Sequence, residues 1–92
     1  MRRDERREAR FRALYGEHLD AVARYAARRV DHAEVHDVVS EAFLVAWRRL
    51  EDVPADPLPW LFATARGVIS NRRRSSLRRR ALRDKLALQV AT

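Results

Sequence analysis

The clearest helical pattern in the chain lies between residues 34 and 50 and has the sequence EVHDVVSEAFLVAWRRL. Its apolar residues recur at steps of three and four, which places them on one face of an α-helix. They are Val35, Val39, Ala42, Phe43, Ala46, Trp47 and Leu50. Acidic residues stand early in the stretch and arginines stand late, an order that complements the helix dipole. We therefore predict an amphipathic helix from Glu34 to Leu50.

A second helical pattern precedes this one and runs from Phe11 to Val30. Its apolar residues recur at the same steps, and Gly16 within it costs about 1 kcal/mol relative to alanine, which allows a local bend. Residues 31–33 form a connection, with Asp31 or His32 near the start of the next helix.

A third helical pattern follows a proline-rich connection. Three prolines between residues 54 and 59 forbid a continuous helix. Asp56 is suited to cap a new helix that has Pro57 in its first position. The apolar stripe of this helix is Trp60, Leu61, Ala65, Val68 and Ile69. Gly67 interrupts the helix without ending it, and the stripe fades beyond Ile69.

Length and composition predict one small all-α domain. The chain has 92 residues with two glycines, three prolines and no cysteine, which excludes a disulfide framework and a cysteine-based zinc site. We predict a charged N-terminal extension over residues 1–10, as a frayed first turn or a solvated helical extension, and a helical domain over 11–80. Residues 81–92 are predicted as the start of a linker, with continuation of the helix as the alternative. No apolar run approaches the roughly 20 residues that span a bilayer, and no signal core is present, so we expect a cytoplasmic protein without membrane contact.

Charge is distributed unevenly along the chain. The net charge is +7, yet residues 31–56 contain seven acids against two bases. Residues 66–83 contain eight arginines and no acid. This pattern predicts a protein that contacts a basic protein surface with one face and a nucleic acid with another. Two solvated faces of ordinary helices remain the alternative.

Catalytic chemistry is not indicated by the sequence. His18, His32 and His36 do not form a compact set of metal ligands, and the two glycines are too far apart for a phosphate-binding loop. No serine or threonine has an evident general base. We therefore predict a binding protein rather than an enzyme, with no metal and no cofactor.

Residues 53–80 combine three features that suit single-stranded nucleic acid. A proline-stiffened loop is followed by a helix that opens with Trp60 and Phe62, and arginines occupy the far end of that helix. Arginines neutralise phosphates, and a rigid loop between helices accepts an unstacked base at little ordering cost. The alternatives are that Trp60 and Phe62 belong to the hydrophobic core and that the arginines form a solvated tail.

Two motifs resemble those of extracytoplasmic-function sigma factors. Residues 37–48, DVVSEAFLVAWR, resemble one conserved signature of that family, and residues 59–74, PWLFATARGVISNRRR, resemble the next. The helix from Phe11 to Val30 is similar to the family's first conserved helix. The resemblance covers residues 11–80, with Ser40 where glutamine is commoner and Gly67 where many members carry asparagine. It implies a three- to four-helix bundle of the sigma region 2 type.

The resemblance also implies partners and site residues. In this family the second conserved helix docks on the clamp helices of the largest subunit of RNA polymerase, and its exposed positions here are Asp37, Val38, Glu41, Leu44, Val45 and Arg48. The third helix and the loop before it hold the non-template strand of the promoter −10 element, with one base flipped into the loop. The loop positions are Val53, Pro54, Ala55, Asp56, Leu58 and Trp60, and the helix positions are Arg66, Gly67, Ser70, Asn71, Arg73 and Arg74.

The resemblance implies two further expectations. An anti-sigma factor that covers these faces is an expected partner. Full members carry a helix-turn-helix domain for the −35 element, and the sequence stops before such a pattern, so we expect an excised fragment or a single-domain version.

Three other functions remain open from the sequence. A generic basic three-helix domain would recognise duplex DNA through a recognition helix. A protein-binding adaptor would carry the arginine run incidentally. A nuclear-targeted eukaryotic protein would use that run as its targeting signal.

Overall fold

The computed structural model describes residues 2–91 and contains three α-helices in this part of the chain. They are α1 (Arg3–Ala27), α2 (His32–Arg48) and α3 (Leu58–Ala91), with a 3-10 turn (Leu50–Asp52) between α2 and α3. Each helix packs against the other two. The all-α fold predicted from the sequence is therefore confirmed.

The hydrophobic core lies where the apolar stripes of the three helices meet. Val22 of α1, Val38 of α2, Leu61 of α3 and Leu50 of the 3-10 turn are completely buried. Phe43 is also buried, and the rings of Phe11 and Tyr15 meet it edge-on, at centroid distances of 6.4 and 4.9 Å. The remaining buried residues are Leu14, Ala26, Val39, Ala42, Ala46, Val53, Ala65, Val68 and Ile69.

Helix α1 extends well before the apolar pattern that begins at Phe11. It begins at Arg3, so most of the predicted charged extension is the first part of this helix. It also continues through Gly16 without the bend that the glycine allowed, and none of the described residues has a positive φ. At its other end the N–H of Val30 donates to the carbonyl of Ala26 and closes the turn towards α2.

Helix α2 begins two residues before the predicted start. Asp31 occupies the cap position with extended backbone, but its side chain makes no capping hydrogen bond. The helix ends at Arg48, and Leu50 lies in the 3-10 turn that follows. Leu50 follows the buried Ala46 by four residues and remains in the core, where it is 1% exposed.

Helix α3 begins one residue after the predicted position. The N–H of Leu61 donates to the carbonyl of Pro57, so Pro57 precedes the helix as its cap and Asp56 lies outside it. Pro59 is accommodated because the first turn of a helix needs no partner for its N–H groups. Gly67 does not end the helix.

The second half of α3 extends beyond the bundle. Residues 81–91, predicted as the start of a linker, are helical, and residue 92 lies outside the described residues. Alanine, leucine, arginine, lysine and glutamine dominate this stretch, and all favour helix. Every residue from 76 to 91 is exposed. No helix within residues 2–91 is both long enough and apolar enough to cross a membrane.

Candidate functional site

The outer side of α2 carries five of the six side chains predicted to bind a protein partner. Asp37, Glu41, Leu44 and Arg48 are exposed and Val45 is half-buried. We call Asp37, Glu41, Leu44 and Val45 the acidic face of α2. Leu44 is 44% exposed, so this face combines negative charge with accessible apolar surface.

Val38 was predicted to be exposed on the same face, and this prediction is wrong. Its side chain is completely buried. Val38 lies four residues before the buried Ala42, and that spacing places both on the side of α2 that faces the other helices. The core stripe of α2 is therefore wider than the sequence pattern suggested.

Arg72 of α3 connects the acidic face to the third helix. Its guanidinium nitrogens lie 3.7 Å from the carboxylate of Asp37 and 3.8 Å from that of Glu41. Its Nε is buried and has no hydrogen-bond partner. Arg72 was not among the predicted site residues. It follows the buried Val68 by four positions and Ile69 by three, a spacing that could have placed it on the inner side of α3.

The outer side of α3 carries all six helix positions predicted to contact DNA. Each of them is exposed: Arg66, Gly67, Ser70, Asn71, Arg73 and Arg74. We call this set the arginine face of α3. Two of its guanidinium groups are already engaged, since Arg73 donates to the carbonyl of Arg29 at 2.8 Å and Arg74 donates to the side-chain oxygen of Asn71. Nothing lies within 4 Å of a Cβ built on Gly67.

Residues 53–57 form the loop that leads into α3, whose first residue is Leu58. Pro54, Ala55 and Asp56 are exposed, and Leu58 is half-buried. Trp60, just inside the helix, is also half-buried and packs against the core, with the guanidinium of Arg49 5.8 Å from its ring centroid. The site prediction fails for the side chain of Val53, which is 5% exposed and packs below the loop as part of the core.

Arg7 and Arg10 of α1 hold the backbone that leads into this loop, and we call this pair the arginine clasp. Arg10 donates one hydrogen bond to the carbonyl of Leu50 at 2.8 Å and another to the carbonyl of Val53 at 2.7 Å. Arg7 donates to the carbonyl of Trp47 at 2.9 Å and to the carboxylate of Glu51 at 2.8 Å. Its guanidinium also lies 4.5 Å from the ring centroid of Trp47.

Comparison with known proteins assigns the family. The family model described as Sigma-70 region 2 matches residues 14–81, which include α2, the loop and the arginine face of α3. The chain belongs to the sigma-70 region 2 family. Proteins named "ECF RNA polymerase sigma factor SigL" from three strains of Mycobacterium tuberculosis are each 43% identical to it over 72 residues. The resemblance to extracytoplasmic-function sigma factors is therefore confirmed.

The matched segment is a part of those relatives. It covers 74% of this chain and 41% of each relative, so this sigma-70 region 2 domain spans about two fifths of the length of the curated relatives it matches. No solved structure matches the chain.

The arginine clasp of this sigma-70 region 2 domain lies outside the family match, which begins at residue 14. It was also missed in the sequence, where residues 1–10 were interpreted as an extension. The available signal was spacing, because Arg7 and Arg10 precede the buried Leu14 by seven and four residues and so share its side of α1.

Among the groups that the arginine clasp contacts, the carboxylate of Glu51 has a shifted pKa. A hydrogen bond from its own backbone and another from Arg7 lower the pKa of Glu51, while partial desolvation opposes them. The charges of Arg7 and Arg3 lower this pKa further. Within residues 2–91, no three His, Asp or Glu side chains come together so as to hold a metal ion.

Proposed function

We propose that this domain binds core RNA polymerase and holds the melted −10 element of a promoter, so that transcription can begin. The acidic face of α2 binds the clamp helices of the largest polymerase subunit. The loop of residues 53–57, the first turn of α3 and the arginine face of α3 bind the non-template strand. The observation that carries the proposal is the arrangement of two oppositely charged surfaces on adjoining helices, with a fixed loop beside them.

The polymerase contact combines charge with apolar area. Asp37 and Glu41 complement the basic residues that this family's polymerase site presents, and Leu44 and Val45 provide apolar contact at the centre. Arg48 lies at the edge of the same surface. Val38 supports it from the core without reaching the partner.

The DNA contact separates positioning from base recognition. Arg66, Arg73 and Arg74 neutralise phosphates, while Ser70, Asn71 and the bare backbone at Gly67 allow close approach of the strand. The exposed residues of the loop receive a flipped base.

The loop is ordered before DNA arrives. Pro54 and Pro57 restrict its backbone, and Arg10 fixes the carbonyl of Leu50 before the loop and that of Val53 at its first residue. Little conformational entropy is therefore lost on binding. Strand separation then draws on the binding energy of the single strand, without nucleotide hydrolysis by this chain.

The proposed partners also imply where the domain works and what kind of protein would inhibit it. It works in the cytoplasm beside the polymerase. A protein inhibitor of the anti-sigma type would cover the acidic face of α2 and the arginine face of α3 together. Such an inhibitor needs a surface that is basic opposite α2 and acidic opposite α3.

Charge reversal tests the polymerase contact. Asp37→Lys combined with Glu41→Lys should abolish capture of the chain by core polymerase, because like charges then face each other. Glu8→Lys combined with Asp20→Lys makes the same change in net charge on exposed positions of α1 and is the matched control. Circular dichroism should show an intact helical fold for both. Undiminished capture of the first variant would mean that this face is wrongly assigned.

Fluorescence anisotropy with matched oligonucleotides tests the DNA contact. The chain, alone and bound to core polymerase, should prefer a single strand with a −10-like sequence over the duplex of the same sequence. Equal or tighter binding to the duplex would instead support a generic three-helix domain that recognises double-stranded DNA.

A further inference from the structure

We propose that the first turns of α1 form a second binding site for the sugar–phosphate backbone, with Arg3 and Arg6 as its contacts. This inference rests on the proposed function and extends it to residues outside the family match. The strand that leaves the loop would continue along the arginines at the start of α1.

Four arginines share one side of the start of α1. At 3.6 residues per turn, Arg3, Arg6, Arg7 and Arg10 fall within roughly a third of the helix circumference. The acids of the same segment, Asp4, Glu5 and Glu8, lie roughly a quarter turn or more from the centre of that side. The mixed charges of the sequence therefore separate into a basic side and an acidic side once the helix forms.

Two shallow grooves connect this basic side to the loop. One has a volume of about 240 Å³ and is lined by Leu50, Glu51 and the four arginines. The other has a volume of about 210 Å³, and its lining includes Pro54, Ala55 and Pro57 of the loop. Arg10 lines both grooves, so its side chain is common to the two. A strand seated on the loop can pass from one groove into the other.

The hydrogen bonds of the four arginines show which of them are available. Arg7 and Arg10 donate to protein groups and hold the helix against the loop. Arg3 and Arg6 are exposed, and the guanidinium group of neither makes a hydrogen bond or ion pair with another residue of the described range 2–91. Glu51 is the carboxylate in their groove, and it is paired with Arg7.

This combination suits a phosphate chain. The clasp fixes where the helix stands, and the two free guanidinium groups stand next to the path from the loop. Guanidinium groups bind phosphate oxygens in a bidentate way, and each such contact releases counterions from the nucleic acid. Because no hydrogen bond fixes either guanidinium group, we expect contact with the sugar–phosphate backbone of the strand and no preference for particular bases.

The salt dependence of DNA binding tests this site on the full chain. Arg3→Ala combined with Arg6→Ala should lower the slope of log affinity against log salt by about 1.4, since each contact with a single strand contributes about 0.7. Arg12→Ala combined with Arg24→Ala removes the same charge from exposed positions of α1 and should leave the slope unchanged. The probes are −10-like single strands lengthened by four nucleotides at either the 5′ or the 3′ end.

The loss should occur with the probe lengthened at one end and not with the other, because the strand leaves the loop towards α1 in one direction. Equal losses for both pairs of variants, or for both probes, would reduce the effect to net charge and overturn the proposal. An unchanged slope, or a loss of polymerase capture in Arg3→Ala with Arg6→Ala, would also overturn it. Absence of −10 sequence preference in the parent chain, with the slope change intact, would instead count against the proposed promoter function alone.

Discussion

The two arginine-rich regions of this domain differ in what their arginines do. The first region is residues 2–12, with six arginines, and the second is residues 78–83, with four, which follow the arginines of α3 that contact α2 and the turn after α1. In the first region, Arg7 and Arg10 reach backbone carbonyls and a carboxylate 40 to 44 residues away along the chain. The second lies within residues 76–91, which extend beyond the bundle and are exposed throughout.

The difference teaches that arginine content sets the charge of a segment, while its position relative to the buried stripe sets its structural role. Arg7 and Arg10 share a helix side with the buried Leu14, so their stems lie along the bundle. Beyond Ser75, every described residue of α3 is exposed, and its arginines meet solvent. The positive charge of the two regions does not by itself distinguish their structural roles.

Proline substitution should give the largest contrast between the two regions. Ala9→Pro interrupts α1 beside the clasp and should lower the free energy of unfolding by up to about 3 kcal/mol. Ala87→Pro makes the same change in the outer end of α3 and should leave that free energy within about 0.5 kcal/mol, because it breaks no contact with the core. Urea unfolding measures both. A comparable loss for the two variants would show that the outer end of α3 supports the fold.

Removal of single arginines should give a smaller contrast. Arg10→Ala removes two hydrogen bonds to backbone carbonyls and should lower the free energy of unfolding by about 2 kcal/mol. Arg79→Ala, at an exposed position of α3, should change it by less than about 0.5 kcal/mol. Arg10→Lys should fall between them, because lysine cannot present the same fork of donors. If Arg10→Ala behaves like Arg79→Ala, the clasp contributes nothing to stability.

The two glycines allow a test of similar size that separates stability from DNA binding. Gly16→Ala and Gly67→Ala should each raise the free energy of unfolding by about 1 kcal/mol, since both sites have space for a methyl group and helical backbone. Only Gly67→Ala should weaken binding of the −10 single strand, because only Gly67 lies on the arginine face of α3. Urea unfolding measures the change in stability, and fluorescence anisotropy measures the affinity for the −10 single strand. Equal DNA affinity for the two variants would remove Gly67 from the site.

The smallest expected effect is the pH dependence of the clasp. The pKa of Glu51 is lowered in the folded state, so its ion pair with Arg7 contributes stability above the ordinary carboxylate range. That contribution is lost as the pH falls through the lowered pKa. Glu51→Gln should therefore be less stable than the parent at pH 7 and should approach it at pH 3. Asp84→Asn, in the exposed part of α3, is the control, and a pH-independent deficit in Glu51→Gln would contradict the ion-pair explanation.

Much of the fold could be predicted because the apolar spacing along each helix is regular. The stripe from Val35 to Leu50 and the prolines before Leu58 located α2 and the start of α3 to within two residues. The helical state of residues 81–91 was not decided by periodicity, because the pattern of Leu82, Leu86 and Val90 is weak and fits either a continued helix or a linker. Helix propensity was the remaining signal there.

The candidate site was predicted less completely, for two physical reasons. Val38 and Val53 were placed on surfaces because the resemblance supplied their positions, while packing of three helices decided their burial. Arg7, Arg10 and Arg72 were missed because arginine in a charged segment normally indicates solvent. Whether a guanidinium contacts a carbonyl or a carboxylate depends on residues some 40 positions away along the chain, and no local sequence pattern includes them.

Arg72 gives the domain a shared counter-ion. A single guanidinium neutralises two carboxylates of α2 while belonging to the helix that carries the arginine face. A cationic partner that binds Asp37 and Glu41 would leave the positive charge of Arg72 on α3 without its carboxylates. An anionic partner that binds Arg72 would leave the two negative charges of α2 without their guanidinium. Such an exchange replaces ion pairs rather than losing them, so it costs little free energy. By thermodynamic linkage, if a partner bound to α2 changes the affinity of α3 for its own partner, the partner bound to α3 changes the affinity of α2 by the same factor.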